Sequence, residues 1–463
     1  MTQTLGGAAA TLRSTMVGGL LTQEDSDYDQ ARSLWNGGID RRPALIARCR
    51  TPQDVSAALR LAREQGLEVS VRGGGHNVSG AACVDDGMMI DLSPIDQVRV
   101  DPHRRRASCG GGATLAALDA ATQEFGLAVP AGTISHTGVG GLTLGGGYGW
   151  LTRMAGLSID NLVSAEVVLA DGRIVRASAD SEPDLFWAIR GGGGQFGVVT
   201  EFEFALHEVG PTVQLGFLFW ELERAAEALR VARDLCDRLP DDAGAMIAGV
   251  NAPPADFVPV EHHFRPGIAL IVAGFASPEA HHQLIAPALE AAPPLFELVT
   301  PIPYTALQQM IDGAAPWGMH AYTKGLYLDE LSDDAIDVIA GRLPAKTSPL
   351  SIVPIFPLGG AYARVGEDDT ALAASRSARY MVGMDALAPT AELWAADREW
   401  VRSLWTALRP FARDDGGYIN FMSEFEEDRV RAAFGHKFDR LRRIKAQYDP
   451  TNTFRRGAAI PPT

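Results

Sequence analysis

A histidine set directly behind three glycines, where a strand has just ended, stands beside whatever those glycines hold. The run Leu67, Val69, Val71 reads as such a strand, and it feeds the loop Arg72-Gly73-Gly74-Gly75-His76-Asn77, followed by Ser79 and Gly80. Glycine lacks a Cβ, so its backbone N–H groups can approach an anion closely, and a loop of this kind can cradle a diphosphate. A second glycine-rich stretch, Gly138-Val-Gly-Gly-Leu-Thr-Leu-Gly-Gly-Gly-Tyr-Gly149, follows about 60 residues later and also reads as a loop. Two such loops suit a long, two-ended, phosphate-containing cofactor; a pair of plain surface turns is the alternative. Neither loop has the G-x-G-x-x-G spacing of a dinucleotide fold or the G-x-x-x-x-G-K-[ST] of a P-loop.

The bulk numbers bound the partners. A formal net charge of −16, with no basic run beyond Arg104-Arg105-Arg106, argues against nucleic acid and against an anionic membrane surface. The four cysteines, Cys49, Cys83, Cys109 and Cys236, have neither zinc-ligand nor disulfide-framework spacing, and no metal is expected. Met1 to Gly19 lacks the pattern of a signal peptide and no apolar run is long enough to span a bilayer, so a cytoplasmic location is the expectation.

Stepping outward, the elements that must position these loops form an α+β pattern. Thr51-Pro52-Gln53-Asp54 starts a helix. Met88–Leu92 and Val98–Asp101 read as strands, and Thr114–Phe125 as a helix with Leu115, Leu118 and Phe125 inward. Ala165–Ala170 and Arg173–Ala177 pair across Asp171-Gly172, and Gln195–Phe204 closes the block with Phe202 and Phe204 on one side. Beyond Pro211, strands near 215–220, 245–250, 268–275, 325–328, 351–358 and 380–386 alternate with helices such as Glu223–Leu239, Ala280–Ala291 and Ala391–Phe411. That pattern predicts an antiparallel sheet backed by helices. The expected division is 1–208, 209–414 and a tail, 415–463, with helices at Asp428–Phe434 and Lys437–Gln447.

Seven stretches in one order carry a resemblance. They are Arg72–Asn77, Pro130-Ala-Gly, Gly138–Gly149, Asp184-Leu-Phe-Trp-Ala-Ile-Arg-Gly-Gly-Gly-Gly194, Gly197-Val-Val-Thr, Tyr418-Ile-Asn420 and Tyr448-Asp-Pro-Thr-Asn. Together they resemble the FAD-linked oxidases of the vanillyl-alcohol-oxidase superfamily, in the berberine-bridge-enzyme-like branch. The resemblance implies an FAD-binding unit of two α/β subdomains (PCMH-type), completed by the C-terminal tail, with a substrate domain inserted. It implies that His76 bonds covalently to the flavin C8 methyl group; a loop histidine that only hydrogen-bonds a phosphate is the other reading. FAD contacts are implied at Arg72 to Asn77, Ser79 and Gly80; at Gly132, Thr133, Thr137, Gly138, Gly140 and Gly141; at Gly145, Gly146 and Gly147; and at Gly197, Val199, Tyr418 and Asn420. Where one branch makes a second flavin bond through a cysteine, this chain has Ile134, so attachment should be mono-covalent.

For chemistry, the resemblance sets Thr137 near flavin C4a and N5, where bulk tunes oxygen access. His136 is placed toward the flavin or substrate, or is merely packed; Tyr148 and Trp150 line the pocket or belong to the core. Tyr418 is a candidate acid/base or substrate-orienting phenol, and Gly457-Ala458-Ala459 replaces a tail segment that commonly supplies a flavin hydrogen bond. Several family members use a carboxylate from the substrate-domain sheet as general base, yet the strand Ser351–Leu358 carries no acid; Asp385 on the next strand is the nearest candidate and Glu424 a second, and both read rather as solvated surface acids. Phe356 with Met381 and Met384 would make an apolar wall, and Lys324 with Tyr327 could activate a hydroxyl unless Lys324 is a surface ion. The main expectation is an oxidase moving a hydride from a small aromatic or secondary-metabolite alcohol or amine to FAD, with O2 as acceptor. A flavin oxygenase acting on a polyketide-like substrate, and a flavoprotein that binds without turnover, are the alternatives.

Overall fold

The computed structural model describes residues 5–463. Its first part builds two sheets. In the smaller one, Leu45–Arg48, Met88–Asp91 and Val69–Arg72 run parallel, and Gly19–Leu21 adds an antiparallel edge. Helix Pro52–Gln65 makes the crossover: Thr51 accepts from Asp54 N–H while the Asp54 carboxylate reaches back, and Gly66 ends the helix at φ +65°. The second sheet is antiparallel, in the order 98–101, 106–110, 198–205, 162–168, 174–178. Phe202 and Phe204 point into its core, as the alternation of that strand requires.

Residues 212–388 form a seven-stranded antiparallel sheet. Helices Ala225–Cys236, Asp333–Arg342 and Ala391–Leu408 cover one face, against Leu218, Trp220, Ile247, Leu270, Val382 and Met384. The intervening residues, such as Leu215, Phe217, Met246 and Ile271, face the other way. That second face looks toward the first part of the chain.

The tail returns to where the chain began. Val430, Phe434, Phe438, Leu441 and Ile444 share a core with Phe196, Phe202 and Trp187. The clasp is Lys445, fully buried, whose Nζ donates to Gln195 O (2.6 Å), Phe454 O (2.6 Å) and Asp449 Oδ2 (2.7 Å). A buried ammonium is tolerable because all three of its protons have acceptors.

Three expectations change. The second glycine stretch is not all loop: Val139–Gly145 is helical, and its N-cap Gly138 makes a backbone-to-backbone crossing. A Cβ on Gly138 would lie 2.3 Å from Gly74 N, and one on Gly74 would lie 2.4 Å from Gly138 N. The glycines there let two chain segments touch. Phe125 is 47% exposed, because the helix ends at Gln123 and the turn carries Phe125 outward. Strand Phe296–Pro303 and helix Asp333–Arg342 add to the expected elements; the strand is the edge of its sheet, mostly half-buried or exposed, and pairs with Thr212–Glu221 alone.

Candidate active site

A cavity of 410 Å³ lies between the glycine segments, the tail and the inner face of the seven-stranded sheet. Of the predicted cofactor residues, Gly73, Gly74, Gly75, His76, Asn77, Gly132, Thr133, Thr137, Gly138, Gly140, Gly141, Gly145, Gly197, Val199, Tyr418 and Asn420 line it. Arg72 does not: its Nη1 donates to Ala31 O at 2.9 Å and sits 3.7 Å from Asp91 Oδ1. Ser79 and Gly80 shape the turn instead. Ser79 Oγ donates to Asn77 Oδ1 at 2.6 Å, and Gly80 packs on Ile39 at φ +74°. Gly146 and Gly147 also stand off the wall, and they seat Tyr418: Gly147 N–H donates to Tyr418 Oη at 2.9 Å, and a Cβ on Gly146 would meet the Tyr418 ring at 3.0 Å.

The residues present fit FAD. Gly141 faces open space on the cavity side. Ser70 Oγ and Gln195 Oε1, both on the cavity wall, are buried without a protein partner. Buried polar atoms are rarely left so, and a ligand rich in donors and acceptors satisfies them. Ile134 also lines the cavity, with a hydrocarbon side chain that cannot form a thioether.

His76 is held on several sides. Trp35 stacks on it (centroids 5.1 Å apart, 17° between planes) and Trp317 meets it edge-on at 5.8 Å. Its Nε2 is 2.7 Å from His136 Nδ1. Burial, then the neighbouring imidazole, lowers its pKa to about 3, so the ring is neutral. His136 therefore packs against His76 and does not line the cavity. Neither tryptophan was singled out from sequence; both lie far from the motifs in the chain.

The wall formed by the seven-stranded sheet departs from expectation. Asp385 is no solvated surface acid. It sits on strand Tyr380–Ala388 opposite Thr323, lines the cavity, and its Oδ1 has no partner. Desolvation raises its pKa to about 7, with a hydrogen bond from Thr323 opposing. Backbone bonds to Ile352 (2.9 and 3.0 Å) clamp it. The sequence signal for it is that it is the one charge in an otherwise apolar strand.

Met384, one residue earlier, consequently points to the helix-covered face, and Met381 packs with Tyr148, Tyr327 and Tyr362; of the three expected wall residues only Phe356 lines the cavity. The same alternation separates Lys324 from Tyr327. Lys324 is buried behind the sheet, 3.3 Å from Glu424 and 4.6 Å from the Trp405 ring centre. Glu424 also accepts from Arg402 and Tyr322, and these partners outweigh its desolvation and hold its pKa at about 2. Tyr327 instead pairs with Tyr148 Oη at 3.2 Å.

Tyr148 lines the cavity, while Trp150 belongs to the core. Tyr418 Oη accepts from Gly147 N–H and from Asn420 Nδ2 (2.9 Å each), yet burial still raises its pKa to about 12. Thr137 lines the cavity beside these groups. The loop 132–137 is braced from outside: Ser135 N–H and Oγ donate to the Asp312 carboxylate (2.7 and 2.6 Å), and Gln308 Nε2 donates to Gly132 O and to the buried Asp119.

Comparison with known proteins bears on this site. Residues 43–178 match the family described as FAD binding domain, and residues 417–461 the family described as berberine and berberine like. The FAD-linked oxidoreductase YgaK of Bacillus subtilis is 30% identical over 468 residues, covering 97% of this chain and 98% of that protein. (R)-6-hydroxynicotine oxidase of Paenarthrobacter nicotinovorans is 37% identical over 255 residues, 55% of this chain and 54% of its own. The crystal structure of 6-hydroxy-D-nicotine oxidase from Arthrobacter nicotinovorans superposes with a TM-score of 0.84 at 28% identity, covering 97% of this chain and 99% of that one. Among the described residues no helix is long and apolar enough to cross a membrane.

Proposed function

The chain belongs to the berberine-bridge-enzyme-like branch of the FAD-linked oxidases, and from that premise we propose that it oxidises a small, largely apolar amine or alcohol bearing a ring. Bound FAD supplies the two-electron acceptor, and O2 takes those electrons on to hydrogen peroxide. The glycine segments and the tail hold the cofactor, and His76 carries it covalently through the C8 methyl group. Ile134 leaves that bond without a second.

The observation that carries the substrate reading is the composition of the sheet-side wall. From residue 209 to 414 the cavity is lined by apolar side chains such as Met246, Ile311, Ile352, Pro354, Phe356 and Leu387, and its polar side chains are Thr323 and Asp385. A sugar brings many hydroxyls, each of which needs a partner once buried. This wall offers two. A ring-bearing substrate with one N–H or O–H matches it: the ring lies on the apolar surface and the single polar group meets Asp385. The relative named for 6-hydroxynicotine supports a heteroaromatic amine within that class.

Asp385 then takes the proton from the substrate N–H or O–H as the adjacent C–H is oxidised. A carboxyl with a pKa near 7 is well matched to this work, since a base acts best when its pKa lies near the operating pH. Tyr418, raised to about 12 and already accepting two hydrogen bonds, serves to hold Gly147 and Asn420 and to present its own O–H to the cavity. Thr137 limits what approaches the cofactor from the side of the 132–137 loop. Asp385 supplies the carboxylate that the strand Ser351–Leu358 lacks, and this favours the oxidase over the oxygenase.

The test is an anaerobic screen scored by bleaching of flavin absorbance. Aromatic amines and alcohols should bleach it, peroxide should appear on admitting air, and oligosaccharides should do neither. Bleaching by oligosaccharides alone would sink the substrate reading.

A further inference from the structure

His136 has no part in the proposed turnover, yet among the described residues it makes the one hydrogen bond to the His76 ring. A 2.7 Å contact between two imidazole nitrogens requires one to carry hydrogen and the other to be bare. His76 is neutral, so it has one N–H and one lone pair. If His136 donated, the His76 proton would sit on Nδ1 and the ring would have no free lone pair. If His76 Nε2–H donates, Nδ1 is bare and can act as a nucleophile. The ring cannot easily turn over to offer Nε2 instead. Trp35 stacks on it, with Trp35 N–H bonded to Gly75 O (3.1 Å) and its Nε1 to Ala315 O (2.9 Å), and Trp317 closes the edge.

We propose that His136 is the proton acceptor for covalent attachment of the flavin to His76, and that it directs the new bond to Nδ1; this rests on the reading that His76 carries the flavin. In the step, the His76 Nδ1 lone pair forms a bond to the C8 methyl carbon of FAD. One methyl C–H bond breaks and its proton leaves to solvent. The Nε2 proton of His76 passes to His136 Nδ1 and onward to solvent. Two electrons remain on the flavin ring, and O2 takes them with two protons as hydrogen peroxide. His136 touches neither substrate nor the wall of the cavity, so its effect falls on attachment and not on the geometry of turnover.

The experiment follows attachment itself. Wild type, His136→Leu and His136→Asn are expressed under riboflavin limitation and incubated with FAD in air. Bound flavin is read from its visible absorbance, and covalent flavin from fluorescence after acid precipitation. Loss of a positioned proton acceptor typically slows a step by about 10²-fold or more. His136→Leu should therefore bind FAD but attach it at least ~10-fold more slowly than wild type. His136→Asn, whose amide oxygen can still accept, should be intermediate. Attachment by His136→Leu at the wild-type rate overturns the role of His136 alone. Release of all flavin by the wild type overturns the attachment reading, and this proposal with it. Should His136→Leu not fold, His136→Asn decides, attachment at the wild-type rate refuting the role and slower attachment supporting it; a bond at Nε2 in the wild-type flavin peptide, read by two-dimensional NMR, would also refute the proposal.

Discussion

Replacing Asp385 with Asn should remove most of the chemistry and at the same time stabilise the protein. The carboxyl lies on the cavity wall with Oδ1 unpartnered, and burial lifts its pKa from 3.8 to about 7. Each tenfold change in proton affinity is about 1.4 kcal/mol, so ionising this group in the fold costs on the order of 4 kcal/mol relative to the unfolded chain. The figure is an upper bound, since the cavity admits water. The sign follows from the direction. A group whose folded pKa is raised contributes its stability fully below the unfolded pKa, and that contribution is lost as pH rises through about 7. Asn has no proton to lose. The thermal midpoint of Asp385→Asn should exceed that of wild type most at pH 8, and the gap should narrow toward pH 4. Activity should move the other way. The rate of anaerobic flavin reduction in wild type should climb with pH and level off above about 7, and Asp385→Asn should lose ~10²–10⁴-fold along with that pH dependence. Stopped-flow absorbance and a thermal melt series over the same buffers read both. A reduction rate within tenfold of wild type, with the pH profile intact, would refute Asp385 as the base.

Other perturbations probe the rest of the site. His76→Ala should release all its FAD on acid precipitation, whereas wild type retains it and digestion yields one flavin peptide, containing His76 and none from residues 130–140. Thr137→Leu should slow flavin reoxidation in air while sparing reduction; equal slowing of both would reduce Thr137 to packing. Tyr418→Phe leaves the Gly147 N–H without its acceptor and Asn420 Nδ2 with only Leu142 O, so it should lower stability by roughly 1–3 kcal/mol. Its flavin reduction should fall less than tenfold, and a larger loss would restore the phenol as an acid or base. Lys445→Met strands the buried Asp449 and two carbonyls, and a loss of about 3–5 kcal/mol is expected in chemical denaturation, with weaker FAD retention.

What could be read from the chain before folding follows from how local each signal is. The first glycine loop, the helix start at Thr51, and the strand ending in Phe202 and Phe204 depend on neighbours within a few residues, and composition reports them directly. The reason for the glycines was harder to see. Gly74 and Gly138 are small because they meet each other, and Gly146 because it meets Tyr418; both partners are remote in sequence. Asp385, Met384 and Lys324 turned on the parity of two strands. Each residue was noticed, but which face of a strand looks inward is set by helices packed from elsewhere. Trp35 and Trp317 carried no local pattern at all, since an aromatic residue near a histidine only in space leaves no trace in spacing.

The clasp at Lys445 makes possession of cofactor a report on the whole chain. Its ammonium ties Gln195, from the first block, to Phe454 in the tail, and Arg456, Gly457 and Ala458 complete the cavity beside Ala81 and Ala82. The pocket wall to which Val69 belongs is therefore not closed until a segment nearly 400 residues later has been synthesised and docked. A nascent or truncated chain that stops short of Lys445 lacks this part of the wall and should fail to keep its flavin. Yellow colour in a purified sample thus measures completed folding from one end of the cavity to the other, and a colourless fraction marks molecules in which the last segment has not come home.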